Sequence, residues 1–337
     1  MINVTLYYRQ GDPESQKVIE FLKNIATRIP HNLILVDIET DEALKFRYLN
    51  EIPVVQIGPY MLHHSVSEQD LEVALGAARD RADRLTEIGD KAYLDRVERG
   101  SKFSSTDHVA YWLSRHYLTL FNLILFVYVG LPFAAPVLMK NGQTIPAKAI
   151  YTLYSPFCHQ LAFRSFFLFG EQPYYPRSLA GVNGTTYEAI MGLNPIANEK
   201  TDAFILDARN FLGNETVGYK VAICERDIAM YGSLLLFGLV YGLTGKRMKQ
   251  VPWYLWLLIG LVPIAVDGFS QLPGLLSGLP AFLPDRESTP FLRVLTGGLF
   301  GFFTAWYLYP MIETNMKDTR SLFTSKKTAI NQMRARN

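Results

Sequence analysis

The stretch LTLFNLILFVYVGLPFAAPVLM, from Leu118 to Met139, determines the class of the fold. Its 22 residues, 118 to 139, include no charged side chain. As a helix it would extend about 33 Å at 1.5 Å per residue, and the hydrocarbon core of a bilayer is about 30 Å thick. The stretch therefore predicts a transmembrane helix, although the whole chain has a mean hydropathy of only +0.08.

Three later segments share this apolar character: Ile228 to Gly245, Pro252 to about Gln271, and about Thr289 to Ile312. Four such segments in one chain exceed what the core of a soluble protein requires. The sequence thus predicts an all-α membrane domain with four transmembrane helices over residues 117–312.

Basic residues in short connections predict the orientation, because cytoplasmic flanks carry an excess of Lys and Arg. Residues 246–249, between the second and third spans, contain three basic residues and no acidic one. The tail 313–337 is also basic. We therefore expect a multi-pass plasma-membrane protein with both termini in the cytoplasm and with loops 140–227 and 272–288 facing outward.

Residues 149–170, AIYTLYSPFCHQLAFRSFFLFG, allow a different count of spans. The segment is apolar and aromatic but is interrupted by Pro156, His159 and Arg164. As a fifth span it would move residues 246–249 to the outer side, against the charge rule. We interpret it as a helix lying in the outer leaflet.

The N-terminal residues have a different pattern, typical of a soluble α+β domain. Short β-rich runs alternate with helical spacing in the order β-α-β-α-β-β-α, and Ile52-Pro53 precedes the third strand. Over about residues 2–80 this order resembles the thioredoxin and glutaredoxin-like fold. The resemblance implies a cis proline at position 53 and a domain spanning residues 1–80, followed by a charged helical connector over 81–116.

The redox motif of that family is absent from this domain. Where the family has Cys-x-x-Cys, this chain has Asp12-Pro13-Glu14-Ser15, and residues 1–80 contain no cysteine. Because a thiolate is the nucleophile of thiol-disulfide exchange, redox catalysis by the domain is excluded. Two interpretations stay open: a folded appendage, or a module that binds a cytoplasmic protein partner through the groove around Pro53.

The cysteine count and the net charge limit the function further. Two cysteines exclude a disulfide-built scaffold and a four-thiolate zinc site. A formal net charge of +2 gives no reason to expect nucleic acid as a partner. The bilayer itself is the expected partner of the membrane domain.

The polar residues of the membrane domain fall near the outward ends of its predicted segments. They are Cys158-His159-Gln160 with Arg164-Ser165, Cys224-Glu225-Arg226-Asp227, Asp267-Gly268-Phe269-Ser270-Gln271, and Arg286-Glu287-Ser288 with Arg293. Together they resemble a bacterial family of predicted membrane proteins, domain of unknown function 2085, over about residues 117–312. No activity follows from that resemblance.

The resemblance implies a matching set of Cys158, His159, Cys224 and Asp227, with Asp227 where the family often has a second cysteine. Sulfur, imidazole and carboxylate are all zinc ligands, so a zinc site is one interpretation. A disulfide between Cys158 and Cys224 is a second, since an oxidising exterior favours it. A third is a pair of inert thiols, with the histidine used only as a hydrogen-bond partner in helix packing.

The remaining polar residues suggest roles in binding and proton transfer. In the leading hypothesis, a metal-activated water attacks a lipid or small amphiphile, and Asp267 or Glu287 accepts a proton. The substrate would be bound by Arg164, Arg226, Arg286 and Gln271. A structural ion pair between Asp267 and Arg293 is also expected, because isolated charges in a bilayer are costly. The alternatives are an oligomeric transporter of a small solute or ion, and a receptor or assembly protein.

Overall fold

The computed structural model describes residues 2–194, 201–272 and 285–335. The chain forms two compact units. The first contains residues 1–117 and 313–337, and the second contains residues 118–312. Most of the predicted outer loop 272–288, and residues 336–337 of the tail, lie outside the described residues.

The first unit has a mixed four-stranded sheet. Its strands are β1 (Ile2–Tyr8), β2 (His31–Asp37), β3 (Val54–Ile57) and β4 (Tyr60–His63), in the order β2-β1-β3-β4. Strand β1 runs parallel to β2 and antiparallel to β3. The helices are α1 (Pro13–Ile25), α2 (Glu42–Tyr48), α3 (Glu68–Glu87) and α4 (Lys91–Ser101). The observed order β-α-β-α-β-β-α is the one that the sequence pattern predicts.

Each face of this sheet buries its own apolar cluster, because successive side chains of a strand point to opposite faces. Val4 and Leu6 of β1 pack with residues of α1 and α3 such as Leu22 and Leu75. Tyr7 belongs to the other cluster. That second cluster consists of Tyr7, Ile34, Val36, Ile38, Leu44, Tyr48 and Val54, with Ala329 packed against it.

Helix α1 begins at the positions where the redox motif is missing, and these residues form its N-terminal cap. Asp12 caps the helix, accepting hydrogen bonds from the Ser15 amide at 2.8 Å and from its hydroxyl at 2.6 Å. Pro13 occupies the first helical turn, where its missing N–H is tolerated. The Ile52-Pro53 peptide bond is cis.

The C-terminal residues, predicted as a separate basic tail, continue the long helix α12 (Pro290–Arg334) and belong to the first unit from Glu313 onward. The side chain of Gln332 accepts a hydrogen bond from the Leu35 amide at 3.0 Å. Its amide nitrogen also donates to the Leu35 carbonyl at 2.7 Å. Gln332 therefore satisfies backbone groups of β2, an edge strand of the sheet.

Three helices of the described chain are long and apolar enough to cross a membrane: α5 (Ser105–Lys140), α9 (Glu225–Leu243) and α12. The third predicted span is a shorter apolar helix, Trp253–Phe269, which consists of α10 (Trp253–Leu255), a π-helical segment and α11 (Val262–Phe269). At about 1.5 Å per residue it is roughly 25 Å long, below the 30 Å of a hydrocarbon core. The four-span count stays a prediction.

Two glycines of α12 allow it to pack closely against α9. A Cβ atom at Gly297 would lie 2.6 Å from the Arg226 carbonyl oxygen, and one at Gly301 would lie 2.0 Å from the Met230 carbonyl oxygen. Any side chain at either position would separate the two backbones. Glycines four residues apart are a common basis for helix packing within membranes.

The prediction of one helix over residues 149–170 is wrong. Helix α6 (Thr144–Tyr154) ends before Pro156, which lacks an amide donor and disfavours helical backbone in the residue before it. A short 3₁₀ turn then leads into strand β5 (Ser165–Leu168), which joins β6 (Gly213–Asn214) and β7 (Gly218–Cys224) in the order β5-β7-β6. The predicted outer loop also contains the short helices α7 (Tyr187–Ile190) and α8 (Asp202–Asn210).

Candidate functional site

Two cysteines and one aspartate meet where the small sheet joins α9. Cys158 lies just after α6, Cys224 ends β7, and Asp227 lies in the first turn of α9. Strand pairing places Ser165 opposite Cys224, which brings the two cysteine segments together. The sulfur atoms and a carboxylate oxygen all lie within 4.8 Å of one another. We call these three residues the Cys-Cys-Asp cluster.

His159, predicted as a fourth ligand, lies outside the Cys-Cys-Asp cluster. Cys158 and Gln160 are buried, whereas His159 between them is exposed. His159 still lines the cavity beside the cluster.

Both cysteines are free thiols that interact directly. A hydrogen bond with Cys224 lowers the pKa of the Cys158 thiol. The same contact, together with burial, raises the pKa of Cys224. Of the two thiols, Cys158 therefore loses its proton more readily than Cys224. The carboxylate of Asp227 forms no hydrogen bond or ion pair with any residue in the described ranges.

Lys220, in the middle of β7, is fully buried near this pair. Its ammonium nitrogen donates to the Gln160 carbonyl at 2.7 Å and to the Arg209 carbonyl at 2.5 Å. Burial lowers the pKa of Lys220 to about 7, although the neighbouring Cys158 opposes that shift. The lysine joins three chain segments around the cysteines.

A cavity of about 240 Å³ opens beside the Cys-Cys-Asp cluster. Three of its lining residues are arginines, Arg164, Arg226 and Arg293, while Asp227 is the one carboxylate among the described residues that line it. The lining of this cavity is therefore rich in cationic hydrogen-bond donors. The remaining lining residues are Phe157, Cys158, His159, Gln160, Leu161, Cys224 and Gln271.

Asp267 accepts hydrogen bonds from several side chains, both at its carboxylate and at its backbone carbonyl. Arg226 forms an ion pair with it, Arg286 donates to the other carboxylate oxygen at 3.2 Å, and the Ser288 hydroxyl donates at 2.9 Å. Gln271, one helical turn later, donates to the Asp267 backbone carbonyl at 2.6 Å. The carboxylate is 6% exposed and has two arginine partners.

A second network contains Arg293. Its guanidinium pairs with Glu287 and, at 3.4 Å, with Glu225, and it donates to the Phe163 carbonyl at 3.0 Å. Glu287 also pairs with Arg164 at 2.7 Å. The expected ion pair between Asp267 and Arg293 is replaced in the structure by these partners, because the chain supplies Arg226 and Arg286 for Asp267.

The ion pairs and the cavity can be compared with the binding and proton-transfer roles that the sequence predicts for these residues. Asp267 and Glu287 each pair with two arginines, so both compensate positive charge in the folded chain, and their role as proton acceptors stays a prediction. Arg286 is engaged by Asp267 and Ser270. Arg164, Arg226 and Gln271 do line the cavity, as expected for ligand-binding residues.

Sequence reasoning missed Lys220 as part of the site, and it assigned no role to Glu225 and Ser288 of the polar set. Lys220 had a visible signal, since it interrupts the apolar run of GYKVAIC. Glu225 lies between residues that were singled out, but nothing in its local pattern indicates Arg293 as its partner. That contact depends on the packing of α9 against α12.

Comparison with known proteins supports membrane location. A family model described as "Predicted membrane protein (DUF2085)" matches residues 208–307. The chain resembles these proteins over that range. The match contains Cys224 to Asp227, Asp267 and Arg293, whereas Cys158 lies before it. The resemblance expected over 117–312 is thus confirmed for its C-terminal part.

A relative from Methanocaldococcus jannaschii, "Uncharacterized protein MJ1492", is 26% identical over 205 residues. The alignment covers 59% of this chain and 94% of the relative. No solved structure matches the chain. The three long apolar helices of the described residues and the family match identify this protein as a membrane protein.

Proposed function

We propose that this membrane protein binds zinc at the Cys-Cys-Asp cluster and uses the metal to activate water against the polar end of a lipid or small amphiphile. The observation that carries the proposal is the convergence of three ligand atoms within 4.8 Å at the edge of a cavity. Catalytic zinc sites typically have three protein ligands and an open position for water or substrate.

The dimensions of the cluster suit zinc. With zinc-sulfur bonds of about 2.3 Å and zinc-oxygen bonds of about 2.1 Å, tetrahedral geometry places two sulfurs about 3.8 Å apart and a sulfur and an oxygen about 3.6 Å apart. Both separations fall within the 4.8 Å limit of the cluster. Asp227 also lacks another partner in the described chain, which suits a metal-ligating carboxylate.

Zinc would supply a water of lowered pKa and would polarise an oxygen of the substrate. The protein's own residues would orient that substrate, with Arg164, Arg226 and Gln271 on the lining of the cavity. Lys220 would position Gln160 and the backbone around Cys158. Asp267 and Glu287 would hold the arginines in place through their ion pairs.

Metal analysis of the purified full chain under reducing conditions tests the proposal. We expect about one zinc per chain, loss of zinc in Cys158→Ser and Asp227→Ala, and retention in Asp227→Cys, which keeps an anionic ligand. Asp202→Ala, at an exposed position of α8, is the matched carboxylate control and should retain the metal. Because His159 lies outside the cluster, His159→Ala should retain it as well.

The disulfide is the competing interpretation, and the same samples distinguish it. A zinc-free wild-type protein whose two thiols resist alkylation until they are reduced would establish the disulfide and refute the zinc site. In that case His159→Ala and Asp227→Ala would leave the alkylation pattern unchanged.

The proposal includes the topology in which both termini are cytoplasmic. The three basic residues at 246–249, after α9, support it through the charge rule. Reporters fused after Gly245 and Ile312 should behave as cytoplasmic, and one fused at Asn194 as exported. An exported reporter after Gly245 would overturn this orientation and place the Cys-Cys-Asp cluster on the cytoplasmic side.

We also propose that the first unit is thioredoxin-like and binds a cytoplasmic protein. The strand order β2-β1-β3-β4, with the cis proline before β3, supports the likeness. Residues 1–117 contain no cysteine, so this part of the unit cannot carry out thiol-disulfide exchange. Crosslinking from a photoreactive residue at position 52, in the full chain, should capture a partner, and capture of lipid alone would refute the proposal.

A further inference from the structure

Two buried arginine donors in the cavity lack partners among the described residues. Arg226 and Arg293 both line the cavity, and the Nε atom of each is buried without a hydrogen bond. Of the terminal nitrogens, Nη2 of Arg226 pairs with Asp267, and those of Arg293 pair with Glu225, Glu287 and Phe163. The Nε–H groups of these two cavity-lining residues are therefore buried donors without a partner in the described chain.

An acceptor also lacks a partner at the same cavity. Gln271 is 2% exposed, its amide nitrogen donates to Asp267, and its Oε1 atom has no hydrogen-bond partner in the described chain. A buried polar group without a partner is unfavourable, so such groups usually receive a ligand or a water. Two donors and one acceptor without partners thus belong to residues that line one cavity.

We propose that this cavity binds a phosphate monoester group. A monoprotonated phosphate presents several acceptor oxygens to the two Nε–H donors and one P–OH donor to Oε1 of Gln271. A carboxylate has acceptors but no donor, and an ammonium group has donors but no acceptor. The phosphate monoester matches all three unpaired atoms.

The electrostatic surroundings agree with an anion. The lining has three arginines and one aspartate, and guanidinium groups suit phosphate oxygens in geometry and charge. The helices α9 and α12 begin at Glu225 and Pro290, so their N-termini add partial positive charge at this end of the bundle. This inference rests on the proposed function in one respect, since it names the group that the metal-activated water would attack.

The phosphate has two possible sources with the same chemistry, a lipid headgroup and a free phosphate. Inorganic phosphate tests the free form, and nanodiscs containing phosphatidic acid test the lipid form. Phosphatidylcholine is the matched lipid control, because its phosphodiester has no hydroxyl on phosphorus to donate to Gln271.

The experiment uses the full chain, with the zinc content measured in every sample. Calorimetric titration with inorganic phosphate, and in parallel reconstitution into the two nanodisc types, should show binding by the wild type. Arg226→Lys keeps the positive charge for Asp267 but lacks Nε–H, and should weaken binding by about tenfold or more. Arg247→Gln, an exposed arginine just beyond the opposite end of α9, should bind like the wild type.

Each result is decisive. Binding of either phosphate source that Arg226→Lys weakens and Arg247→Gln preserves supports the phosphate site. Arg293→Lys gives the same test at the second donor. Absence of both forms of binding, or equal binding by Arg226→Lys and wild type, overturns it. Zinc present without phosphate binding refutes this inference alone, whereas phosphate binding without zinc refutes the metal-dependent function alone.

Discussion

Replacing Lys220 with Met should abolish a specific pH dependence of stability. The lysine is fully buried in β7, and burial lowers its pKa from the usual 10.5 to about 7. Between these values the unfolded chain binds a proton that the folded chain does not, so the free energy of unfolding rises with pH. This stabilisation is fully present above about pH 10.5 and is lost as the pH falls to about 7.

The size of the effect follows from the two pKa values. One pKa unit corresponds to about 1.36 kcal/mol, and between pH 7 and pH 9 the folded protein should gain about 2 kcal/mol from this residue. On the scale of soluble domains of similar length, that gain raises the unfolding temperature by roughly 4 to 8 °C. Methionine fills a similar volume and cannot titrate.

Thermal unfolding in detergent, followed by intrinsic fluorescence at pH 7, 8 and 9, measures the difference. The unfolding temperature of the wild type should rise with pH relative to that of Lys220→Met. Lys246→Met, outside the sheet, should follow the wild type. Parallel curves for wild type and Lys220→Met would show that the buried lysine keeps its ordinary pKa, and would refute the argument from burial.

Three further variants test the packing around the site and the sheet edge. Glu287→Gln leaves two arginines without their shared partner and should destabilise the fold by about 3 to 5 kcal/mol, measured as a lower unfolding temperature; an unchanged temperature would contradict the buried network. Gly301→Ala should cost about 1 to 3 kcal/mol because its Cβ meets α9, while Gly298→Ala, with open space around it, should be neutral; equal effects would refute the close packing. Gln332→Ala removes two hydrogen bonds to the backbone of Leu35 and should speed hydrogen exchange of the Leu35 amide about tenfold. An unchanged exchange rate would show that Gln332 does not protect this edge strand.

Patterns with a short repeat predicted most of the fold. The alternation in β1 and the charge-free run of α5 are local properties, so the order of strands and helices along the first unit, and the apolar helices, could be anticipated. The prediction of one helix over residues 149–170 was wrong because the apolar residues of this segment suit both a membrane helix and a buried strand. Phe167 is buried as part of β5, packed beside β7, and its hydropathy alone does not reveal that environment.

The sequence predicted which types of residue form the site, but it did not predict which charged side chains pair with one another. Cys158 and Cys224 are the two cysteines of the chain, and the resemblance to the family of predicted membrane proteins added Asp227. The structure brings these three residues together. The partners of Asp267 and Arg293 were not predictable, since several arginines and carboxylates fall near the same helix ends. Which guanidinium meets which carboxylate depends on helix rotation, a property that no single segment determines.

The glycines of α12 bear on how this protein tolerates insertions and deletions. One ridge of α12 contains Arg293, Gly297 and Gly301, which are spaced four residues apart. The packing of the two glycines against α9 therefore also determines the position of Arg293 at the cavity. A single inserted residue between positions 293 and 297 would turn the arginine by about 100° relative to the glycines. Hydropathy and length would hardly change, yet the cavity would lose a donor. Homologues that keep the function should therefore vary the composition of this helix more readily than the spacing of these three positions.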